Sequence, residues 1–342
     1  MTGHMGEPLG QRLKRIAQAL FTGATEPSSD RMTGDVKETV KPSQTSIDFN
    51  VEELQAVTLT GPEALMARDL MSPYVWQEAD GRLGIMVRAV PAAGQPRTDT
   101  GQIWAGWSAD GQTFAMNAEP SLIGGPDPQD IGGVEDPTVM RMEDGSYVVY
   151  YTGVAADMAH GEMFYATGPS PDRLTKAGVA LASTKSMGNT KEATVGRTAD
   201  GHWRLFYEYA ADEASRVGLA IGSGVAGPWR EQPTPFMPRE DSWDNWHLST
   251  GPMLHDDPDH PVMFYNGATR DARWRIGWIA FRRDGLSVVD RCIEPLITPP
   301  PVADRSDTDI AFAASVIAGQ DGIWLYYSLE DSRLARARLR RG

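Results

Sequence analysis

The 342-residue sequence has a single cysteine, Cys292, so it has neither a Cys-x-x-Cys pair nor a cysteine-rich cluster. A disulfide framework is excluded, and no pattern predicts a zinc site or another resident cofactor. No apolar run approaches the roughly 20 residues that cross a bilayer. Polar and charged residues interrupt the N-terminal apolar stretch where a signal peptide would need a continuous one. These absences predict a cytoplasmic protein.

Positive charge is scarce relative to negative charge. The sequence has 32 Lys and Arg against 46 Asp and Glu, which gives a net charge of −14. An acidic chain repels nucleic-acid phosphates and anionic membrane surfaces, so neither is expected as a partner. The 41% of hydrophobic residues is enough to bury a large core.

The first 48 residues differ in composition from the rest. Apolar residues at helical spacing in LGQRLKRIAQALF (9–21) predict an amphipathic helix, and a polar segment follows it. We therefore divide the chain into an N-terminal helix and linker (1–48) and a main domain (49–342). The apolar face of the helix has two candidate partners, its own main domain and a second copy in a homo-oligomer.

A hairpin pattern recurs along the main domain. An apolar strand leads through a turn, Asp-Gly in four cases, into an aromatic-rich strand. The five examples are SPYVWQEADGRLGIMVRA, EDPTVMRMEDGSYVVYYTG, KEATVGRTADGHWRLFYEY, STGPMLHDDPDHPVMFYNG and AASVIAGQDGIWLYYSLED. A third strand follows each hairpin, and the fourth unit matches least well. The repeat predicts an all-β fold, a five-bladed β-propeller with an N-terminal helical extension. A β-sandwich is the alternative, but it does not readily explain five repeats in the same order.

Five short stretches hold equivalent places at the start of each unit: MSPYV, GVEDPT, NTKEAT, WHLSTGP and DTDIAF. In a propeller these places surround one mouth of the central channel. The polar residues that they bring together are Glu135, Asp136, Lys191, Glu192, His247, Asp307 and Asp309.

Glu135 and Asp136 are adjacent, and adjacent strand residues point to opposite faces. We therefore expect only one of them to face the channel, with the second carboxylate of an acid/base pair supplied by Glu192 of the next unit. The alternatives are structural: Asp before Pro often initiates a turn, Lys191 fits a solvated surface lysine, and His247 fits a packing histidine.

Several motifs between residues 70 and 338 resemble those of glycoside hydrolase family 130, the mannoside phosphorylases and related mannosidases. The most specific is GVEDPTVMRMEDGSYVVYYTG, which is similar to the Gly-x-Glu-Asp-Pro-Arg stretch of the family. The others, in the order of the family, are IMVRA, FYNGATRDARWRIGWIAF, DRCIEPLITP and WLYYSLED. The family also resembles the wider group of five-bladed glycosidases, including families 43 and 32.

The resemblance implies an inverting reaction on a β-mannoside or a related short oligosaccharide. It implies that Asp136 is the general acid, and that Arg88 and Asp331 lie near the subsite where the bond breaks. Sugar rings stack on aromatic side chains, and Trp246 in the DSWDNWHL segment is the tryptophan that we expect to border the pocket. Some related enzymes carry a structural ion in the channel, and no pattern in this sequence indicates one.

The sequence departs from the family at two positions. Thr138 stands where arginine is usual after Glu-Asp-Pro, and Asn266 stands where histidine is usual. Both changes remove positive charge, and phosphorolysis needs cations that hold phosphate. Lys191, His247 and one of Arg270, Arg273 and Arg275 remain as candidates.

These departures favour hydrolysis, with Glu192 as the base. Two alternatives stay open. One is a phosphorylase that uses inorganic phosphate as co-substrate, and the other is a propeller that binds carbohydrate without catalysis.

Overall fold

The structure is a computed structural model that describes residues 47–198, 201–304, 308–319 and 322–342. The predicted N-terminal helix and almost all of the linker lie outside the described residues, as does Asp307. No helix within the described residues is long and apolar enough to cross a membrane.

The described residues are almost entirely β-structure. They contain one short helix, α1 (Glu63–Met66), and a 3-10 turn at Val302–Asp304. The strands are β1 (Phe49–Ala56), β2 (Thr58–Thr60), β3 (Arg68–Gln77), β4 (Leu83–Pro91), β5 (Gln102–Ser108), β6 (Thr113–Met116), β7 (Gly133–Arg141), β8 (Tyr147–Val154), β9 (Gly161–Ser170), β10 (Arg173–Leu181), β11 (Gly188–Arg197), β12 (Trp203–Ala211), β13 (Ala214–Gly222), β14 (Trp229–Gln232), β15 (His247–Ser249), β16 (Met253–Leu254), β17 (Val262–Met263), β18 (Asn266–Ala268), β19 (Trp274–Ile276), β20 (Ile279–Phe281), β21 (Val288–Arg291), β22 (Ala311–Gly319), β23 (Gly322–Leu329) and β24 (Arg333–Arg341).

Neighbouring strands pair into six sheets. Their strand orders are β2-β6-β5-β4-β3, β10-β9-β8-β7, β11-β12-β13-β14, β15-β18-β19, β16-β17-β20-β21 and β1-β24-β23-β22. All the pairings are antiparallel except that of β2 with β6. In the last sheet β1 pairs with β24, so strands from the two ends of the described chain close one sheet.

The predicted hairpins are confirmed as β3–β4, β7–β8, β11–β12 and β22–β23. The fourth unit is broken into strands of two to four residues in two sheets. Pro252 and Pro261 lie in this unit, and proline has no backbone N–H to donate to a strand ladder. The weak match of the fourth unit in the sequence therefore corresponds to an irregular structure.

Apolar cores fill the spaces between neighbouring sheets. One core packs Trp76 and Ile103 against Tyr151 and Phe164, and it joins the β3–β6 sheet to the β7–β10 sheet. The strand β8 is buried at every position, since each of its faces packs against a neighbouring sheet. We call the strand that begins each hairpin, such as β3, β7, β11 or β22, the first strand of its unit. Sheets that are covered on both faces hold these first strands in fixed positions.

Side-chain hydrogen bonds link successive units of the repeat. Thr138 Oγ1 donates to the carbonyl of Ala193 (2.6 Å), and Thr194 Oγ1 donates to that of Gly251 (2.8 Å). Similar bonds join Asn266 Nδ2 to the carbonyl of Ala313 (3.2 Å) and Ser315 Oγ to the carbonyl of Pro73 (2.8 Å). These bonds run around the place where the predicted site residues meet.

Candidate active site

Three first strands, β3, β7 and β11, carry the same local distortion. The pairing register shifts between Met71 and Tyr74, between Glu135 and Thr138, and between Lys191 and Thr194. Inside these bulges the residues with left-handed φ angles are Ser72 (52°), Asp136 (50°) and Glu192 (53°). A bulge re-aims a side chain, and left-handed backbone at non-glycine residues costs roughly 1–3 kcal/mol and is concentrated at functional sites.

A small cavity is lined by Ser72, Asp136 and Glu192. Gly251 and Ala314 line the same cavity and contribute almost no side chain to it. The repeat therefore places polar side chains at some of its equivalent positions and small residues at others.

The prediction for the fifth equivalent stretch was wrong. The register shift in β22 lies between Ala313 and Ser315, directly after the DTDIAF segment and four to six residues beyond Asp309. Asp309 instead binds Arg275, with 2.5 Å between its Oδ1 and the arginine Nη1. The error arose because the fifth unit has no acidic residue at its bulge.

Arg88 on β4 holds the Glu-Asp pair of β7. Its Nη2 lies 2.5 Å from Glu135 Oε1, and its Nη1 lies 3.3 Å from Asp136 Oδ1. Its Nε and Nη2 also donate to the carbonyl of Thr100, at 3.1 and 2.8 Å. Both carboxylates therefore reach one guanidinium, because the bulge at Asp136 breaks the alternation of the strand, while Asp136 lines the cavity and Glu135 does not.

Ser72 is a site residue that the sequence analysis missed. Its Oγ donates to Asp136 Oδ1 at 2.6 Å, and its backbone N–H donates to Ser328 Oγ at 2.8 Å. The signal was available, because Ser72-Pro73 occupies the same place in its unit as Asp136-Pro137. A short polar side chain before proline fits an ordinary turn equally well, so the serine did not stand out.

Asp136 and Glu192 are hydrogen-bonded through their carboxyl groups. Burial raises the pKa of Glu192 well above its usual value, and the negative charges of Asp136 and Glu208 add to that effect. Burial opposes ionisation of Asp136 too, but Arg88, Ser72 and Lys191 outweigh it and lower the pKa of that carboxyl. Of the two carboxyl groups, Glu192 is therefore the one that keeps its proton to the higher pH.

A base role for Glu192 would require its carboxyl group to lie farther from the carboxyl group of Asp136. Inverting enzymes place their two carboxyl groups about 6.5–9.5 Å apart, with water between them. Hydrogen-bonded carboxyl oxygens lie roughly 2.5–3.0 Å apart, and no water fits there.

Lys191 and His247 are linked to each other through Glu208 and Ser215. Lys191 Nζ lies 3.2 Å from Glu208 Oε1, and Glu208 accepts a hydrogen bond from Ser215 Oγ at 2.7 Å. The backbone N–H of Ser215 donates to Nδ1 of His247 at 3.1 Å. Burial lowers the pKa of His247 to about 4, so this histidine is neutral near pH 7 and cannot supply a positive charge.

Trp246 lies outside the cavity lining. Its indole Nε1 donates to the carbonyl of Glu213 at 3.2 Å, and the Arg270 guanidinium lies 4.4 Å from its ring centroid.

Among the predicted site residues, six interact electrostatically with one another: Arg88, Glu135, Asp136, Lys191, Glu192 and Asp331. Trp246, His247 and Asp309 stand farther out. Substrate binding by these three residues stays a prediction.

Asp331 lies in the turn between β23 and β24. It follows Glu330, and both residues have left-handed φ angles, 57° and 53°. Burial raises the pKa of Asp331 to about 6, against the opposing effect of Arg88, and the charge of Asp136 adds to the rise. Asp331 is half-buried, and within the described residues its carboxylate makes no hydrogen bond.

The two positions that depart from the family have structural roles here. The Thr138 hydroxyl is used in the inter-sheet bond to Ala193. Asn266 is fully buried, and its amide bonds to Thr250 and to both backbone groups of Ala313. Neither side chain supplies a charge to the site.

Solved structures with the same fold include glycoside hydrolases and phosphorylases. One represents the GH130 family of mannoside phosphorylases, which contains glycoside hydrolases that target β-1,2 mannosidic linkages in Candida mannan. It is 21% identical, with 87% of this chain and 95% of that chain covered and a TM-score of 0.70. The chain has the family 130 fold. A glycosyl hydrolase from Bacteroides ovatus is 22% identical, with 79% and 83% covered and a TM-score of 0.66.

Another solved structure with this fold, a β-1,2-mannobiose phosphorylase from Listeria innocua in complex with β-1,2-mannobiose, is 15% identical. The structural alignment covers 84% of this chain and 90% of that chain, with a TM-score of 0.65. No family model and no curated protein sequence matches this chain. At these identities the family 130 likeness establishes the fold, and the reaction has to be argued from the site.

Proposed function

We propose that this protein is an inverting glycosidase that cleaves β-mannoside-type or related oligosaccharide linkages, with Asp136 as the general acid. The observation that carries the proposal is the cavity lined by the hydrogen-bonded Asp136–Glu192 pair, with the charges of Arg88 and Asp331 acting on the same group of residues. Glycoside hydrolysis needs a buried acid that keeps its proton near neutral pH and a second carboxylate that activates water. The reaction needs no cofactor.

We propose that the sheets form the five blades of a propeller. Four sheets begin with β3, β7, β11 and β22 respectively, and the two small sheets of the fourth unit together supply the remaining blade. The inter-sheet bonds at Thr138, Thr194, Asn266 and Ser315 support a ring of first strands around one channel.

The proton for the leaving group comes from the Asp136–Glu192 pair. Ser72 and Arg88 both contact Oδ1 of Asp136, so that oxygen is held as an acceptor while Glu192 carries the proton. As the glycosidic bond breaks, Asp136 passes a proton to the departing oxygen, and the Glu192 proton replaces it. The pair thus stores the proton in a buried place and delivers it through Asp136.

The charges around the site favour water over phosphate as the second substrate. Each candidate cation for phosphate is already paired with a carboxylate, or is neutral in the case of His247. The pairs are Lys191–Glu208, Arg270–Glu213, Arg273–Asp271 and Arg275–Asp309. A phosphate dianion entering this site would meet several carboxylates without an uncommitted partner among these groups.

The two activities are separated by product identification. The protein is incubated with a panel of β-linked manno-oligosaccharides, with and without inorganic phosphate. We expect free sugar in both cases and no dependence of the rate on phosphate. Sugar 1-phosphate would establish the phosphorylase alternative, and an absence of turnover across the panel would leave a carbohydrate-binding protein.

The role of Asp136 is tested by Asp136→Asn. Because the variant cannot hold or pass the proton, we expect a loss of at least about 100-fold in kcat on substrates with poor leaving groups. Substrates with a good leaving group, such as a dinitrophenyl glycoside, need little acid assistance and should lose far less. A uniform loss on both kinds of substrate would remove Asp136 from the role of acid.

A further inference from the structure

We propose that Asp331 is the general base that activates the attacking water, and that Glu192 stands with Asp136 on the acid side of the reaction. The inference rests on the proposed hydrolytic function and assigns its missing second carboxylate. Three independent observations carry it, namely the bonding of the site carboxylates, the position of Asp331 and its backbone conformation.

The first observation is that the other site carboxylates are already bound. Glu135 is held by Arg88, Asp136 accepts from Ser72 and Arg88, and Glu192 is bonded to Asp136. In contrast, the Asp331 carboxylate makes no hydrogen bond within the described residues. A base must offer a lone pair to water, and an uncommitted carboxylate does so without losing an existing bond.

The second observation is the order of the elements around the site. Asp331 follows β23, Arg88 lies on β4, Asp136 on β7 and Glu192 on β11. The backbone of Ser72 on β3 donates to Ser328 near the end of β23, which places that end beside β3. Asp331 and Glu192 thus approach the Asp136 region from different neighbouring sheets. Acid and base on opposite sides of a sugar ring need such a separation.

The third observation is the strained turn that carries Asp331. Two consecutive non-glycine residues, Glu330 and Asp331, adopt left-handed backbone at a cost of roughly 1–3 kcal/mol each. The Glu330 N–H donates to the carbonyl of Ile310 at 2.9 Å, and its side chain forms an ion pair with Arg333, so the turn is fixed from both sides. The aspartate is therefore held where it stands.

In the proposed step the water oxygen forms a bond to the anomeric carbon while the bond to the leaving sugar breaks. Asp331 takes the proton of the water, and the leaving oxygen takes a proton from Asp136. One proton enters the base and one leaves the acid pair, so the site recovers its starting state after a single proton exchange with solvent. The product has the inverted anomeric configuration.

The charged groups facing Asp331 are Arg88, Asp136 and Lys191. With the pKa of Asp331 at about 6, the base is ionised above that pH and protonated below it. We therefore expect kcat/KM to fall about tenfold per pH unit below pH 6, since its acid limb reports the base of the free enzyme.

The test compares Asp331→Asn and Asp331→Ala with Asp212→Asn as the matched control. Asp212 also has a left-handed φ, 50°, in the β12–β13 turn, but it is exposed. We expect Asp331→Asn to lower kcat by at least about 100-fold with KM changed less than about threefold, and to abolish the limb near pH 6. Asp212→Asn should keep the wild-type rate, and thermal unfolding checks that each variant is folded.

Azide distinguishes a base from a residue that only binds substrate. A small anion that fills the space left by Asp331→Ala attacks the anomeric carbon directly, so azide should restore turnover and yield a glycosyl azide of inverted configuration. The matching Glu192→Ala variant should not be rescued in this way. Rescue of Glu192→Ala instead, or a loss in Asp331→Asn confined to KM, would overturn the assignment. Failure of the wild type to hydrolyse any substrate would count against the proposed function.

Discussion

At the scale of single residues, the Ser72 hydroxyl tunes the pKa of Asp136. It donates at 2.6 Å to Asp136 Oδ1, the oxygen that Arg88 also contacts. Hydrogen bonds to the ionised form of a carboxyl lower its pKa, so Ser72 helps to hold the pKa of Asp136 below its usual value. Its role is positioning, since it acts through Asp136.

Ser72→Ala should therefore raise the pKa of Asp136, because the variant loses a hydrogen bond that stabilises the ionised carboxylate. The measurement is the pH titration of the Asp136 carboxyl by carbon NMR, assigned by its disappearance in Asp136→Asn. Ser186→Ala changes an exposed serine and serves as the control. A titration identical to that of the wild type would show that Arg88 and Lys191 alone hold the charge.

The residues of the site were predictable to different degrees. Asp136 and Glu192 follow from their equivalent places in two repeats, and the structure brings both to one cavity. Their hydrogen bond was not predictable, because it depends on two bulges that turn both side chains to the same point. Asp331 entered through family resemblance alone, since a turn aspartate has no local signal of its own.

At the scale of elements, the backbone segments of the fourth unit pass so close together that a residue without a side chain is required between them. A Cβ placed on Gly251 would lie 1.9 Å from the carbonyl oxygen of Phe264. Backbone atoms cannot move aside as a flexible side chain can, so alanine would push the strands of the fourth unit apart. That unit has short strands and little pairing to absorb the shift.

Gly251→Ala should accordingly lower the free energy of unfolding by about 1–3 kcal/mol, the usual cost of overpacking. Urea unfolding measures the loss, and activity should fall with it because Gly251 lines the cavity. The control is Gly319→Ala at the end of β22, where a Cβ would meet no atom within 4 Å. Equal stability of the two variants would contradict the steric argument.

The sequence predicted the regular elements better than the irregular ones. The hairpins β3–β4, β7–β8, β11–β12 and β22–β23 could be read from alternating apolar residues and tight turns. Bulges could not be predicted in this way, since one added residue changes neither the composition of a strand nor its visible alternation. The same limit explains why the alternation rule failed at Glu135 and Asp136.

At the scale of the whole molecule, burial of polar groups couples stability to pH. His247 is 7% exposed, and burial lowers its pKa to about 4 from an ordinary value of 6.5. Between these values the unfolded chain binds a proton on this histidine while the native protein does not. The free energy of unfolding therefore falls as pH drops from 6.5 to 4.

The contribution of His247 to this fall is on the order of 3 kcal/mol over the full interval. We expect His247→Gln, which retains an acceptor for the Ser215 N–H, to unfold with a weaker dependence on pH between 6.5 and 4. Urea unfolding of both proteins at a series of pH values gives the difference directly. Parallel pH profiles for variant and wild type would exclude His247 as a source of acid instability.

The all-β class was predictable from the chain as a whole, but the closure of the last sheet was not. β1 pairs with β24 across almost the whole length of the described chain. No local period signals such a contact, because it depends on where the preceding sheets leave the chain. The predicted repeat required some closure of this kind without saying which strand would supply it.

The shared left-handed bulge has a consequence for how such enzymes change. Ser72, Asp136 and Glu192 present different chemistry from one backbone form, so a new reaction requires only a new side chain at a place already built. Proteins with this scaffold can diverge in chemistry by single-codon steps, while their folding stays under separate selection.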